Sequence, residues 1–344
     1  MIYDNLEFHN VMELQKKDGF SGLRLQRFPE EIRYSLGYED DKRGRIASQT
    51  STGCEVRFVT DSKKIRLYLS ALDGDGEVLV YNGNFYYGKY TLKSGVITTI
   101  HLEADERFEE VNPEILQGYS FSHKVWRIAM NRGFSAVYHG IDVCGCTIRP
   151  PKENEVPKLR WLAYGSSITH GVESISHNNS YVEQAAKRLG VDVLCNGISG
   201  ACLCEKEVAD YMATRNDWDF ITLELGVNMR VHFEPEEFEK RARYIIKKVI
   251  ENNPDKPVII ITIFPNRSLY LKQPDKIYYR NIEYNKILNE IHREFNANNL
   301  HIIQGDSILT NFSGLSSDLL HPSDDGHILM GENLAKKLKE IIAN

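Results

Sequence analysis

The chain has 344 residues, of which 42% are hydrophobic and 26% charged, and its formal net charge is -6. That composition suits a folded protein of about two domains, and an acidic balance without any lysine- or arginine-rich run argues against nucleic acid as a partner. No stretch approaches the ~20 consecutive apolar residues of a membrane span.

The start, Met1-Ile2-Tyr3-Asp4-Asn5-Leu6-Glu7, has neither the positive charge nor the apolar core of a secretory leader. If the sequence is the complete product, a cytoplasmic protein is expected. From there the pattern is that of strands. Cys54, Val56 and Phe58 alternate with Glu55 and Arg57, and Ile65, Leu67 and Leu69 alternate with Arg66 and Tyr68. Segments 78–81 and 96–102 continue the pattern, with Asn82-Gly83 and Ser94-Gly95 as turns, and 125–130 and 136–148 supply the last strands. Short strands at this spacing predict an antiparallel β-sandwich, jelly-roll-like, over residues 1–150.

Within it, Asp73-Gly74-Asp75-Gly76-Glu77 has the alternating carboxylates of a calcium loop but not the rest of that motif. A hairpin turn between Leu69 and Val78 explains it more simply. Tyr86, Tyr87, Tyr90 and Trp126 would form a sugar platform if exposed and a core if buried, the commoner fate. The segment 150–157, with prolines at 150, 151 and 157, reads as a linker.

Beyond it, apolar strand candidates at 159–164, 191–196, 220–225, 258–263 and 300–304 alternate with helical patterns at 180–189, 236–251, 279–295 and 325–342. This alternation predicts a five-stranded parallel sheet covered on both faces, an α/β/α sandwich over 158–344. Ligands of such sheets bind at the carboxyl ends of the strands. Three of those ends carry small polar residues: Gly165-Ser166-Ser167-Ile168-Thr169, Asn196-Gly197-Ile198-Ser199-Gly200 and Gly226-Val227-Asn228. The first presents a hydroxyl on a tight turn, and the others offer a backbone N–H and a side-chain amide as donors. Near the end of the chain, Asp318 stands three residues before His321, which puts a carboxylate and an imidazole on one side of a turn. The plain alternatives are a turn glycine at 200, a helix cap at Asn228 and a surface histidine at 321.

Together these four segments resemble, in order and spacing, the blocks of the SGNH hydrolases, the GDSL-type esterases and lipases. The resemblance covers about residues 158–344. Ser166 stands where that family most often has aspartate, a departure common in its carbohydrate-esterase branches. The resemblance implies Ser167 as nucleophile, His321 and Asp318 as its triad partners, and the Ser167 and Gly200 N–H groups with the Asn228 amide as oxyanion hole. Arg230, after the third block, is a tentative substrate contact, with His170 and His232 as further candidates, and Glu224 is a candidate buried partner of the third block. A sandwich ahead of such a domain looks like acetyl-removing carbohydrate esterases, so the expected substrate is a small acetylated sugar. Longer acyl chains or a non-catalytic sugar-binding role remain open.

No cofactor or metal is expected. The six cysteines, at 54, 144, 146, 195, 202 and 204, read as small apolar residues rather than bridges, and the one-residue spacing within 144–146 and 202–204 is not that of a zinc knuckle. Self-association into a homo-oligomer is left open.

Overall fold

The computed structural model describes residues 1–16, 19 and 21–342. The chain divides into two compact units, one of Met1–Pro29, Gln49–Lys158 and Gly190–Asp192, the other of Glu30–Ser48, Leu159–Leu189 and the chain from Val193 onward.

The first unit holds strands β1 (Ile2–Tyr3), β2 (Leu6–His9), β3 (Glu13–Gln15), β4 (Leu23–Gln26), β5 (Glu55–Thr60), β6 (Lys64–Leu72), β7 (Gly76–Asn82), β8 (Phe85–Leu92), β9 (Thr98–Glu103), β10 (Trp126–Met130), β11 (Ser135–Asp142) and β12 (Ile148–Arg149). They form two antiparallel sheets, β1-β2-β5-β10-β7-β8 with β12 beside β5, and β3-β4-β11-β6-β9. The alternating residues face one shared core: Val56 and Phe58 from one sheet meet Ile65, Leu67 and Leu69 from the other. Trp126 lies in that core with the Tyr87 ring edge-on to it at 5.2 Å, whereas Tyr86 is exposed.

Two features depart from the sequence reading. The loop 73–75 does not close a hairpin, because β6 and β7 belong to different sheets and the loop carries the chain between them. Asp75 in it accepts hydrogen bonds from Lys93 Nζ (2.6 Å) and Ser94 N (3.0 Å). Strands β1 to β4 and β8 lie in segments where polar residues and aromatics obscure the two-residue period.

β5 is buried on both faces. Glu55 accepts from Arg57 Nε at 2.6 Å and Arg127 Nε at 2.9 Å, and the Arg127 guanidinium stacks on Phe121 at 3.9 Å. Buried charges persist only when matched in this way.

The second unit is built on β13 (Arg160–Gly165), β14 (Asp192–Gly197), β15 (Phe220–Glu224), β16 (Val258–Ile261) and β17 (Leu300–Ile303), parallel and in the order β14-β13-β15-β16-β17. Every residue of β15 and β16 is buried, as a sheet covered on both faces requires. In chain order the helices are α1 (Glu30–Ser35), α2 (Arg43–Ser48), α3 (Arg107–Glu110), α4 (Pro113–Leu116), α5 (Tyr181–Leu189), α6 (Lys206–Thr214), α7 (Met229–His232), α8 (Pro235–Asn252), α9 (Lys276–Phe295) and α10 (Asp324–Ile342); α3 and α4 belong to the first unit. Helix α5 packs on α10, and α8 packs on α6 and α9. No described helix is long and apolar enough to cross a membrane.

Residues 30–48, read from sequence as part of a 1–150 domain, fold with the second unit. Helices α1 and α2 are each six residues long, too short to show a helical period. Their apolar contacts decide the matter: α1 packs on α6, and a methyl group on Gly44 of α2 would stand 3.0 Å from Leu36 Cβ and 3.2 Å from Ala201 Cβ.

Replacing Glu55 by alanine removes a carboxylate shared by the buried Arg57 and the partly buried Arg127 guanidinium groups and should destabilise the sandwich by about 3 kcal/mol. Trp126 fluorescence during urea unfolding, in a Trp161→Phe/Trp218→Phe background, reads this directly.

Candidate active site

Strand β13 ends in a turn that admits no side chain at its entrance. A Cβ on Gly165 would lie 2.2 Å from Thr169 Oγ1 and 2.6 Å from Glu224 Oε2, so only glycine fits where β13 passes the end of β15. A Cβ on Gly197 would likewise meet His170 N at 2.3 Å, and Ile198 N donates to Gly165 O at 2.8 Å. The ends of β13, β14 and β15 are thereby drawn to one rim of the sheet.

Glu224 lies beneath this rim. Its Oε2 accepts from Ser166 N at 2.6 Å and from Thr169 Oγ1 at 3.2 Å. Burial pushes its carboxyl up to about 7, against the opposing pull of its hydrogen bonds to Ser166 and Thr169. Glu224 is thus a support of the first block's turn as well as a member of the third block's strand. Ser166 itself is fully buried and its Oγ accepts from Ile168 N at 3.1 Å. A serine hydroxyl here makes the local turn bond that an aspartate side chain could also make, which explains why the aspartate can be dispensed with.

The turn presents Ser167 Oγ at 2.7 Å from His321 Nε2, and His321 Nδ1 lies 2.6 Å from Asp318 Oδ2. A carboxylate can only accept, so Nδ1 carries the proton and Nε2 of the neutral ring accepts from the serine hydroxyl. Asp318 is fixed in turn: its Oδ1 accepts from Ser316 Oγ, Leu320 N and His321 N at 2.8, 2.8 and 2.9 Å. Partial burial opposes its ionisation, but the bonds from His321, Leu320 and Ser316 outweigh this and hold the carboxyl well below the usual carboxylate range. Leu319, at φ 57°, takes the left-handed conformation that folds the loop back, and Ser316 N closes it by donating to His321 O at 2.8 Å.

Helix α10 begins just after this loop and anchors the opposite side. His327 Nδ1 accepts from Tyr181 N (3.3 Å), so its Nε2 donates to Val172 O (2.9 Å), while Asp324 accepts from Ile175 N (2.8 Å). Burial lowers the His327 imidazole to about 4, which keeps it neutral and in this tautomer. The segment after Ser167 and the loop bearing His321 are therefore tied to one helix start.

Two backbone donors near the serine are unused: neither Ser167 N–H nor Gly200 N–H finds an acceptor among the described residues. Gly200 has φ 73°, which its lack of a side chain permits. Asn228 occupies the N-cap position of α7 without capping it. Its Oδ1 instead accepts from Cys202 N at 3.1 Å, which orients the amide and leaves its NH₂ for another partner.

The structure does not support Arg230 as a substrate contact. Its side chain is buried and its Nη1 donates to Asn266 Oδ1, Ser268 Oγ and Asn281 Oδ1. It braces α7 against the 266–281 segment, because a four-residue helix has too few internal bonds to hold itself. His170 is also buried, with Nδ1 2.6 Å from Ser199 Oγ. His232 approaches Arg43 instead, Nε2 to Nη2 at 3.4 Å. Cys202 and Cys204 are buried beside the second block, whereas Cys144 and Cys146 are exposed.

Residues 163–329 match the GDSL-like Lipase/Acylhydrolase family, the class that the four blocks resemble. Among curated proteins no sequence match is found. Similar solved structures include the salicylyl-acyltransferase SsfX3 from a tetracycline biosynthetic pathway, 17% identical, with a TM-score of 0.78 over 98% of this chain and 95% of that one. A family two carbohydrate esterase from Clostridium thermocellum in complex with cellohexaose is 14% identical, with a TM-score of 0.61 over 86% of this chain and 94% of that one. The acetyl xylan esterase Est2A from Butyrivibrio proteoclasticus is 12% identical, with a TM-score of 0.57 over 100% of this chain and 97% of that one. At such identities these likenesses establish the fold: an SGNH domain preceded by a β-sandwich.

Because the folded Glu224 carboxyl titrates near 7 rather than its ordinary 4.5, the folded chain holds the extra proton between those values. Stability from this group is full below about 4.5 and is lost as pH rises to about 7. Glu224→Gln, which mimics the protonated acid, should lose this dependence. Its melting temperature relative to the parent chain should rise from pH 5 to about pH 7 and level off above that.

Proposed function

We propose that the chain is a serine esterase that removes short acyl groups, acetyl first, from O-acetylated sugars or from xylo- and manno-oligosaccharides. The observation that carries this reading is the hydrogen-bonded series Ser167–His321–Asp318, in which each distance suits proton transfer. Similarity to proteins named as carbohydrate and acetyl xylan esterases supports a sugar as the alcohol.

In the first half-reaction His321 Nε2 takes the Ser167 proton as Oγ attacks the ester carbonyl. The free N–H groups of Ser167 and Gly200 and the Asn228 amide receive the oxyanion. The carbonyl re-forms, the C–O bond to the sugar breaks, and His321 returns its proton to the departing alkoxide. Water then gives a proton to His321, attacks the acyl-serine and releases acetate as the Ser167 hydroxyl is restored. Asp318, ionised throughout, stabilises the imidazolium in both halves.

The likeness to an acyltransferase over nearly the whole chain favours one second reading, transfer of the acyl group to an alcohol in place of water. Added acceptor alcohols that yield a new ester from the same acyl-serine would establish it.

Ser167→Ala should reduce p-nitrophenyl acetate hydrolysis to below a few per cent while the circular dichroism spectrum is unchanged; greater residual activity excludes the assignment. Asn228→Ala should lower turnover ~10²–10³-fold. In a p-nitrophenyl ester series the rate should fall beyond butyrate, and acetate release from acetylated xylo- and manno-oligosaccharides should identify the sugar.

A further inference from the structure

Segment 30–48 places a charged side chain at the second block. Arg43, the first residue of α2, is more than half exposed yet firmly oriented. Asp41 accepts from Arg43 N at 2.9 Å and from Arg43 Nε at 2.8 Å, and also takes Nη2. The carboxylate thus occupies the Nε/Nη2 edge of the guanidinium. These hydrogen bonds hold Asp41 down at about 2, so it remains an anion and a fixed strut at any working pH.

The other edge is open. Nη1 donates to no described residue, and Nη2 has only the His232 ring, at 3.4 Å, on that side. The position is set by packing: α2 rests on the second-block turn through Gly44 and Ala201, and a Cβ on Gly200 would lie 3.7 Å from both Arg43 Nη1 and Cδ. Bond lengths around a Cα then put Nη1 within roughly 6 Å of the Gly200 nitrogen. That nitrogen is the donor assigned above to the oxyanion. Tyr38, edge-on to Phe233 at 4.8 Å, secures the same segment against α7. A guanidinium held along its Nε/Nη2 edge by Asp41, with Nη2 also near His232 and the Nη1 N–H groups free, is arranged to donate from Nη1 to a carboxylate in a fixed orientation.

We propose that Arg43 is a specificity residue that binds a carboxylate carried by the ester substrate next to its scissile bond, which makes acidic acylated compounds, such as acetylated acidic sugars, the preferred class. This rests on Ser167 being the reacting hydroxyl. The nearby charges do not oppose it: Asp41 is turned to the far edge, and His232 contributes a ring nitrogen at 3.8 Å from Asp41.

The experiment compares matched esters. 4-Acetoxybenzoate and its methyl ester place the carboxylate on the alcohol side; p-nitrophenyl hemisuccinate and p-nitrophenyl butyrate place it on the acyl side. The parent chain should favour the charged member of one pair in kcat/KM, and that pair identifies which side of the ester Arg43 reads. In Arg43→Ala the charged-to-neutral ratio for that pair should fall on the order of 10–100-fold, and Arg43→Lys, which lacks the fork, should restore only part of it. Arg43→Gln keeps the packing length and replaces the alanine variant if the latter melts early. An unchanged ratio in every variant overturns the proposal, as does a parent chain with no preference in either pair. Calorimetric binding of the same esters to Ser167→Ala, with and without Arg43→Gln, separates this result from the esterase reading. A charge preference in binding that Arg43→Gln removes upholds Arg43 even if no ester is hydrolysed, and binding without such a preference refutes it.

Discussion

The site depends on how closely three strand ends approach one another. The ends of β13 and β14 are packed so tightly that Gly165 and Gly197 cannot carry a Cβ: the Glu224 carboxyl of β15 and Thr169 crowd the first, and the Thr169–His170 backbone crowds the second. That carboxyl binds the backbone N–H of Ser166, one residue before the reacting hydroxyl. A buried acid is costly unless it is protonated or fully bonded, and here the cost is offset by bonds to the turn that must be held still. A serine at the tip of an unsupported small-residue turn would sample many positions. With Glu224 beneath it and the Ser166 hydroxyl closing the turn on Ile168, it has few.

The imidazole arrives from the other end of the chain by a different device. The loop from Ser316 to His321 is cross-linked through Asp318, which accepts from two backbone N–H groups and one hydroxyl besides the imidazole. Asp318 therefore shapes the loop and orients the ring with the same carboxylate. Helix α10 then pins both partners, since its first turn binds the segment after Ser167 through Asp324 and His327. Preorganisation of this kind means that proton transfer need not wait for the groups to find each other.

Much of this was legible in the chain. The two-residue period of Val56–Phe58 and Ile65–Leu69 announces the sandwich, and apolar runs such as 258–261 announce strands buried on both faces. The spacing of Asp318 and His321 was informative because that contact is local. No sequence pattern announces α6, nor α1 and α2, whose few residues show no period. Arg230 misled for a physical reason: an arginine after a functional block looks available, and only packing shows its Nη1 shared among Asn266, Ser268 and Asn281. Arg43 gave no local signal at all, since nothing in residues 41–45 reveals that they fold against Ala201.

By itself the sequence determined the order of the second unit's strands and of its longer helices, the two kinds of sheet and which residue types end the strands of the second, because these follow from periodicity and from the conformational freedom of glycine in short turns. Tertiary structure alone decided that residues 30–48 leave the sandwich for the other unit, that Glu224 supports the serine turn and that Arg43 borders Gly200. Each of these is a contact between segments far apart in the chain, set by which surfaces fill one another's gaps, and such complementarity leaves no repeating mark along a single strand of sequence.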